Sequence, residues 1–430
     1  MLLTAALLGY CAAGVAGCGA SGTTVRLPRL RVVQDQPPRP RSDTGPSVPF
    51  PGTTNGIHLG LAFDYQARNE SVVSHHVDYV WGGYFVDWNF GIDPRGPHID
   101  AYLPLGTDGF PQSLPGHSLA AWKAMHPDWI VYQCDRTTPA SAGTSDTPVP
   151  LDFSNPGVRA YQLRLVATMF ARGASGIAFD NFGFENYTGR CGAYRRGVWT
   201  PLGYPEPRQT NATLDGALIR WLKEMHDAIR ARFPTKTLAV NMSLQLTSLS
   251  QLRAVAPHLD GVFDESGFTM SGHDNLSGGA WTHEVESIEY LSDAGKAVDI
   301  NGIVPAPNDA SVTPAELNWV LSNYLLVKGS HTYTYIYAGN NKGFAGSPSG
   351  YGSFYDRPQY HIPIGHPTSN RFAFNGVQLR YYSGGLAIVN PTSTATFSLQ
   401  LGQDYEDMFG HTYATVTLAP ASGIVLLNPP

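Results

Sequence analysis

The sequence predicts an α/β fold: a (β/α)8 TIM barrel followed by a C-terminal all-β sandwich domain. Three observations carry that expectation. Eight apolar runs of strand length recur along the chain, most of them ending in Asp, Asn or Glu. Segments of helical periodicity lie between runs, and such alternation builds a parallel sheet. From about Gly365 the pattern shifts to short strands separated by turns, as a small sandwich does. At 430 residues the chain is long enough for a barrel and one extra domain.

Residues 1–18 read as an export signal, apolar and small, and too short for a permanent membrane span. Val15-Ala16-Gly17-Cys18 resembles the lipobox of bacterial lipoproteins, which implies that Cys18 is lipidated and anchors the mature chain. No Lys or Arg precedes the apolar run, so a plain secretory signal is the alternative. On either reading the chain is extracytoplasmic, and on the first it is tethered in the bacterial cell envelope. Residues 19–54 are rich in Pro, Arg, Ser and Gly without periodicity, and read as a disordered tether.

The barrel is expected over residues 55–364. Its eight strands read as Ile57–Asp64, Asp78–Tyr84, Trp129–Asp135, Gly176–Asp180, Thr237–Asn241, Gly261–Glu265, Ala297–Asn301 and Tyr333–Tyr337. Two helices between them are clear. Ser154 is placed to cap a helix to Ala171, with Val158, Tyr161, Leu165 and Met169 on one face and Gly173 as its stop. Leu214, Leu218, Trp221, Leu222, Met225 and Ile229 make a second apolar face that ends before Pro234. Residues 365–430 form the all-β domain, with strands over 377–382, 385–390, 395–399 and 423–427.

Composition narrows the partners. Charged residues make up only 14%, while Gly (46), Pro (33) and Tyr (22) are abundant, as in a loop-rich exported protein. A net charge of −6 and a pI near 6.1 argue against nucleic acid or an anionic membrane surface. Membrane contact is therefore expected through Cys18 alone. Cys134 and Cys191 are the cysteines of the folded part, on loops that neighbour each other in a barrel, and a disulfide between them is expected in an oxidising compartment. No spacing of Cys, His and carboxylates marks a metal site, and no cofactor is expected.

Two acidic motifs stand out, Gly176-Ile177-Ala178-Phe179-Asp180-Asn181-Phe182 and Gly261-Val262-Phe263-Asp264-Glu265-Ser266-Gly267-Phe268. Each is a buried-strand pattern that ends in a carboxylate. In a parallel barrel the C-terminal ends of the strands form the active site, and two carboxylates on one rim are the minimum for glycoside hydrolysis. A single such carboxylate reads better as a helix cap; two on matching strands read as a site. Asp264 and Glu265 point to opposite sides of a regular strand. Glu265, nearer the strand end, is favoured over Asp264.

Asp64 and Asp135 also end expected strands and can meet sugar hydroxyls, though each equally suits a cap or an ion pair with Arg68 or Arg136. Asn181, Asn241 and Asn301 follow the same logic as substrate contacts. Trp81, Tyr84, Trp88, Trp122 and Trp281 are candidates to stack on sugar rings, while any one of them can equally be core. His75, His76 and His126 read as surface or packing residues.

Several separated motifs add a resemblance: His126-Pro127-Asp128-Trp129, Cys134-Asp135-Arg136, Leu151-Asp152-Phe153-Ser154-Asn155-Pro156, Phe179-Asp180-Asn181 and Asp264-Glu265-Ser266-Gly267-Phe268. Over roughly Ile57 to Gly339 the chain resembles a barrel family catalogued as hypothetical glycosyl hydrolases. In dextranase-type and α-galactosidase-type barrels the nucleophile ends strand four and the acid/base ends strand six. That similarity implies Asp180 as nucleophile and Glu265 as acid/base of a retaining enzyme acting on an oligo- or polysaccharide. The alternatives are a transglycosidase using the same carboxylates, and a non-catalytic glycan-binding barrel, which would not need both to be acids.

Overall fold

The computed structural model describes residues 25–27, 50–62, 77–83, 97–110, 112–140, 148–270, 274–338 and 354–429. Cys18, Asp64, His75, His76, Tyr84 and Trp88 lie outside them.

Eight parallel strands form the barrel: β1 (Gly60–Ala62), β2 (Tyr79–Gly83), β3 (His98–Pro104), β4 (Gly176–Asp180), β5 (Thr237–Asn241), β6 (Gly261–Asp264), β7 (Ala297–Val304) and β8 (Thr332–Ala338). Each pairs with its successor. A parallel bridge from Leu59 to Thr334 closes β8 onto β1, and the Thr334 N–H donates to the His58 carbonyl at 2.9 Å.

Strand three corrects the sequence expectation. It is His98–Pro104, and not Trp129–Asp135. Its inward positions carry polar groups that conceal it among apolar runs. Tyr79 Oη donates to Asp100 (2.7 Å), Thr237 Oγ1 donates to Asp100 (2.8 Å), and His98 Nε2 lies 2.9 Å from Asp100. These buried groups satisfy one another inside the barrel, as buried polar groups must. Phe50 plugs the floor beside them, with its ring 4.5 Å from His98 and 5.4 Å from Tyr79.

The Trp129–Asp135 segment instead contributes Val131–Tyr132 to a three-stranded antiparallel sheet with Gly192–Arg195 and Val198–Pro201. Ile130 and Tyr132 pack with Trp122, Val149, Leu151 and Val158 in a separate cluster outside the barrel core. Arg196 (φ 52°) and Gly197 (φ 79°) make the two-residue turn of its hairpin, where both positions need left-handed backbone. Cys134 and Cys191 are disulfide-bonded across this sheet, Cα to Cα 5.1 Å.

The two expected helices are present as α1 (Pro156–Ala171) and α2 (Ala212–Arg232). The α1 cap is Asn155, which accepts from Gly157 N, with Pro156 at the first position. Ser154 is held by Asp152 instead. Its buried face is Val158, Gln162, Val166, Met169 and Phe170, rotated from the one expected. All six expected apolar residues of α2 are buried. Further along, α3 (Gly278–Asp293) and α4 (Pro314–Val327) cover β6 to β8. No helix among the described residues is long and apolar enough to cross a membrane.

The C-terminal domain is antiparallel, with strands Phe372–Phe374, Val377–Tyr382, Gly385–Asn390, Phe397–Asp407, Thr412–Leu418 and Ser422–Leu427. They enclose a core of their own that includes Leu379, Leu386, Ile388, Leu399, Val416 and Leu426. Its junction with the barrel is α4. Arg380 donates to the carbonyls of Leu325, Leu326 and Lys328, capping the helix C-terminus with a cation. Two pieces of the expected tether belong to the folded body. Val25–Arg26 pairs in parallel with Leu399 and Gln400, and residues 50–54 line the barrel floor, where Thr53 O accepts from Lys328 Nζ.

Candidate active site

Asp180 is the last residue of β4, Asn241 the last of β5, and Glu265 the first beyond β6. Three adjacent parallel strands thus deliver these side chains to one rim. Asn241 Nδ2 donates to Asp180 Oδ1 at 2.9 Å and to Glu265 Oε2 at 3.0 Å. Only the NH2 end of an amide can face two carboxylates, so both of its hydrogens are committed. Tyr102 in β3 donates its hydroxyl to Asp180 Oδ2 at 2.8 Å. All four residues are half-buried, open to a solute yet held by protein.

Asn181 completes the grip on Asp180. Its backbone is left-handed (φ 60°), a conformation Asn tolerates better than most residues. The turn lets Asn181 N reach Asp180 Oδ1 (2.8 Å) and Asn181 Nδ2 reach Asp180 Oδ2 (3.0 Å). Asp180 therefore receives four hydrogen bonds, every one from a donor. Burial raises its pKa, and the bonds from Tyr102, Asn241 and Asn181 pull it back, leaving the carboxyl above the ordinary Asp value.

Asp264 faces the other way, into the helix layer against Glu284 of α3, and both carboxyls are fully buried. Burial, and then the Asp264 charge, pushes Glu284 well above the ordinary range. Two adjacent buried carboxyls disfavour ionising together. The alternation of the strand thus assigns Glu265 to the rim and Asp264 to the packing.

The other expected contacts separate from the rim. Trp81 is fully buried, its ring stacked on Phe263 at 4.5 Å, so it supports the site from beneath and offers no platform to a sugar. Asn301 is also fully buried, inside β7, and its amide finds no hydrogen-bond partner among the described residues. Asp135 does not end a barrel strand. It caps its own turn, accepting from Thr138 Oγ1 at 2.5 Å and from Thr137 N and Thr138 N at 2.9 Å, which holds its pKa at about 2. Trp122 and Trp281 are core, their indole N–H groups bound to Asp108 (2.9 Å) and Asn323 (2.6 Å). His126 stacks on Trp129, rings 3.9 Å apart.

Sequence reasoning missed Tyr102, because it missed β3. The signal was there in His98, Asp100 and Tyr102 at alternate positions, a strand period with a polar inner face. It also passed over Asp299, fully buried in β7 with no hydrogen-bond partner among the described residues and a pKa raised by burial to about 8.

No protein-family model matches this sequence, and no curated protein matches it. Solved structures do resemble the fold. Eubacterium rectale Amy13B shares 10% identity at a TM-score of 0.48, covering 88% of this chain and 97% of that one. The glycoside hydrolase domain of PelA from Pseudomonas aeruginosa shares 13% at 0.38, covering 65% and 94%. An α-glucosyl transfer enzyme, XgtA, shares 13% at 0.46, covering 87% and 99%. These likenesses concern chain fold alone.

Proposed function

We propose that this chain is a retaining O-glycoside hydrolase of oligo- or polysaccharides, with Asp180 as nucleophile and Glu265 as acid/base. The observation that carries the reading is the amide of Asn241 donating to both carboxylates at once. The two N–H bonds of a planar amide diverge by about 120°, so acceptors on them sit roughly 5 Å apart. Retaining glycosidases hold their carboxyls about 5–5.5 Å apart, while inverting ones leave about 6.5–9.5 Å for a water. The all-donor surroundings of Asp180 suit an ionised nucleophile. Glu265 then protonates the leaving oxygen as Asp180 Oδ attacks the anomeric carbon. In the second step Glu265 takes a proton from the water that releases the sugar.

We place the mature protein outside the cytosol, anchored through Cys18. The Cys134–Cys191 disulfide supports an oxidising compartment. Radiolabelled palmitate incorporated by the full chain but not by Cys18→Ser tests the anchor.

A glycan panel with purified protein tests the activity. On the substrate so found, Asp180→Asn is expected to abolish turnover. Glu265→Gln should cost most with poor leaving groups and least with activated aryl glycosides, and azide should rescue Glu265→Ala by giving a glycosyl azide of retained configuration. Full activity of Asp180→Asn would end the mechanism and favour a glycan-binding barrel.

A further inference from the structure

Away from the carboxylate rim, three metal-ligating side chains converge on the outside of the barrel. His226 and Asp227 lie in α2, and His258 lies in the single 3-10 turn Ala256–His258 that leads into β6. One ligand atom from each falls within 4.8 Å of the other two. His226 Nδ1 and Asp227 Oδ1 are 3.6 Å apart. Bonds of about 2.0–2.1 Å to a tetrahedral ion put neighbouring ligand atoms roughly 3.3–3.4 Å apart, so His226 and Asp227 already stand near that spacing, and His258 has to close in from within 4.8 Å. The two imidazoles meet edge to face, centroids 6.3 Å apart at 61°, not stacked flat. A nitrogen of each can therefore turn to a shared point.

One further observation supports a ligand here. His226 Nδ1 is shielded from solvent and makes no hydrogen bond within 3.5 Å among the described residues, with Asp227 Oδ1 at 3.6 Å, whereas His98 and His117 set a ring nitrogen against Asp100 and Asp108. Charges around the cluster are mixed. Lys223 holds Asp227 Oδ2, and Arg230 and Lys296 add positive charge, while Asp260 offsets it. Asp227 Oδ1 stays directed to His226.

We propose that His226, Asp227 and His258 form a binding site for one divalent transition-metal ion, of which Zn2+ suits the ligands best, with solvent completing the shell. Two imidazoles and one carboxylate match zinc and its neighbours, not the all-oxygen shells of Ca2+ or Mg2+. The ion would clip α2 to the turn that feeds β6, the strand preceding Glu265. Sequence spacing conceals such a site, because β5 and the helix after it intervene between the ligands.

The test uses the full chain, first dialysed against a chelator, then titrated with Zn2+ and Co2+ by calorimetry and absorption. The expected result is one equivalent bound, intense visible Co2+ bands of a four-coordinate site, and a Zn2+-dependent rise in Tm. His226→Ala and His258→Ala should each weaken binding by at least about tenfold. Both positions are partly exposed, and circular dichroism checks that the variants fold. Lys223→Met, which frees Asp227 and removes a cation, should tighten binding. Absence of stoichiometric binding, equal binding by the His226→Ala/His258→Ala double variant, or no gain in Lys223→Met would overturn the proposal.

Discussion

Asn241 and Asp180 are joined by a 2.9 Å hydrogen bond whose donor nitrogen also holds Glu265 at 3.0 Å. The middle strand of three thus sets the spacing between the ends of its neighbours. Asn241→Ala should lower kcat/KM about 10- to 100-fold, the worth of a hydrogen bond to a charged group at roughly 1.5–3 kcal/mol. Asn241→Asp should be worse, since it adds a third carboxylate where the donor stood. Steady-state kinetics decide this; a loss under about twofold in Asn241→Ala would show that the bridge does not organise the pair.

Tyr102 should set the acid limb of the pH–rate profile. A nucleophilic Asp180 must be ionised, so activity falls as pH drops through its pKa. Burial holds that pKa above the ordinary 3.8, and the acid limb of kcat/KM should lie above the ordinary Asp value accordingly. The Tyr102 bond lowers the value, so Tyr102→Phe should move the limb to still higher pH. An unmoved or lowered limb in Tyr102→Phe would mean that another group controls it.

Asp299 should make the fold weaken as pH rises. Its carboxyl sits against Gly60, where any Cβ would collide with it, and its folded pKa of about 8 stands far above the unfolded 3.8. Between those values the unfolded chain has released the proton and the folded chain keeps it. Stability therefore falls from about pH 4 to pH 8, by about 6 kcal/mol at most, and levels off above. In Asp299→Asn this slope should flatten, and urea midpoints at pH 5 and pH 8 should converge. An unchanged slope would assign the titration elsewhere.

Opening the Cys134–Cys191 bond, which spans a sequence separation of 57, should cost about 2–4 kcal/mol. The bond ties Val131–Tyr132 to Gly192–Arg195 at the side of the barrel. The Cys134→Ser/Cys191→Ser variant should show a lower denaturation midpoint and near-normal kcat/KM. A large loss of turnover in folded variant would instead link the side sheet to the rim.

The sequence by itself determined seven of the eight barrel strands, the six-residue inner face of α2, the disulfide partners and the two carboxylates at the ends of β4 and β6. The strands, the helix face and the carboxylates are local patterns: burial imposes a period of two on strands and 3.6 on helices, and the period is written in the residues themselves. The disulfide followed from there being two cysteines in the folded part, although Cys134 follows a strand of the side sheet and not a barrel strand. It failed at β3, whose inward His98, Asp100 and Tyr102 are polar, because their partners Tyr79, Thr237 and Asp180 lie on other strands. Barrel closure and strand register alone decided that Asn241 spans Asp180 and Glu265, that Asp264 turns away to Glu284, and that Trp81 lies under the site. A side chain's hydrogen-bond partner across a sheet depends on which strands are neighbours and how far each has slid, and no window of sequence contains that information.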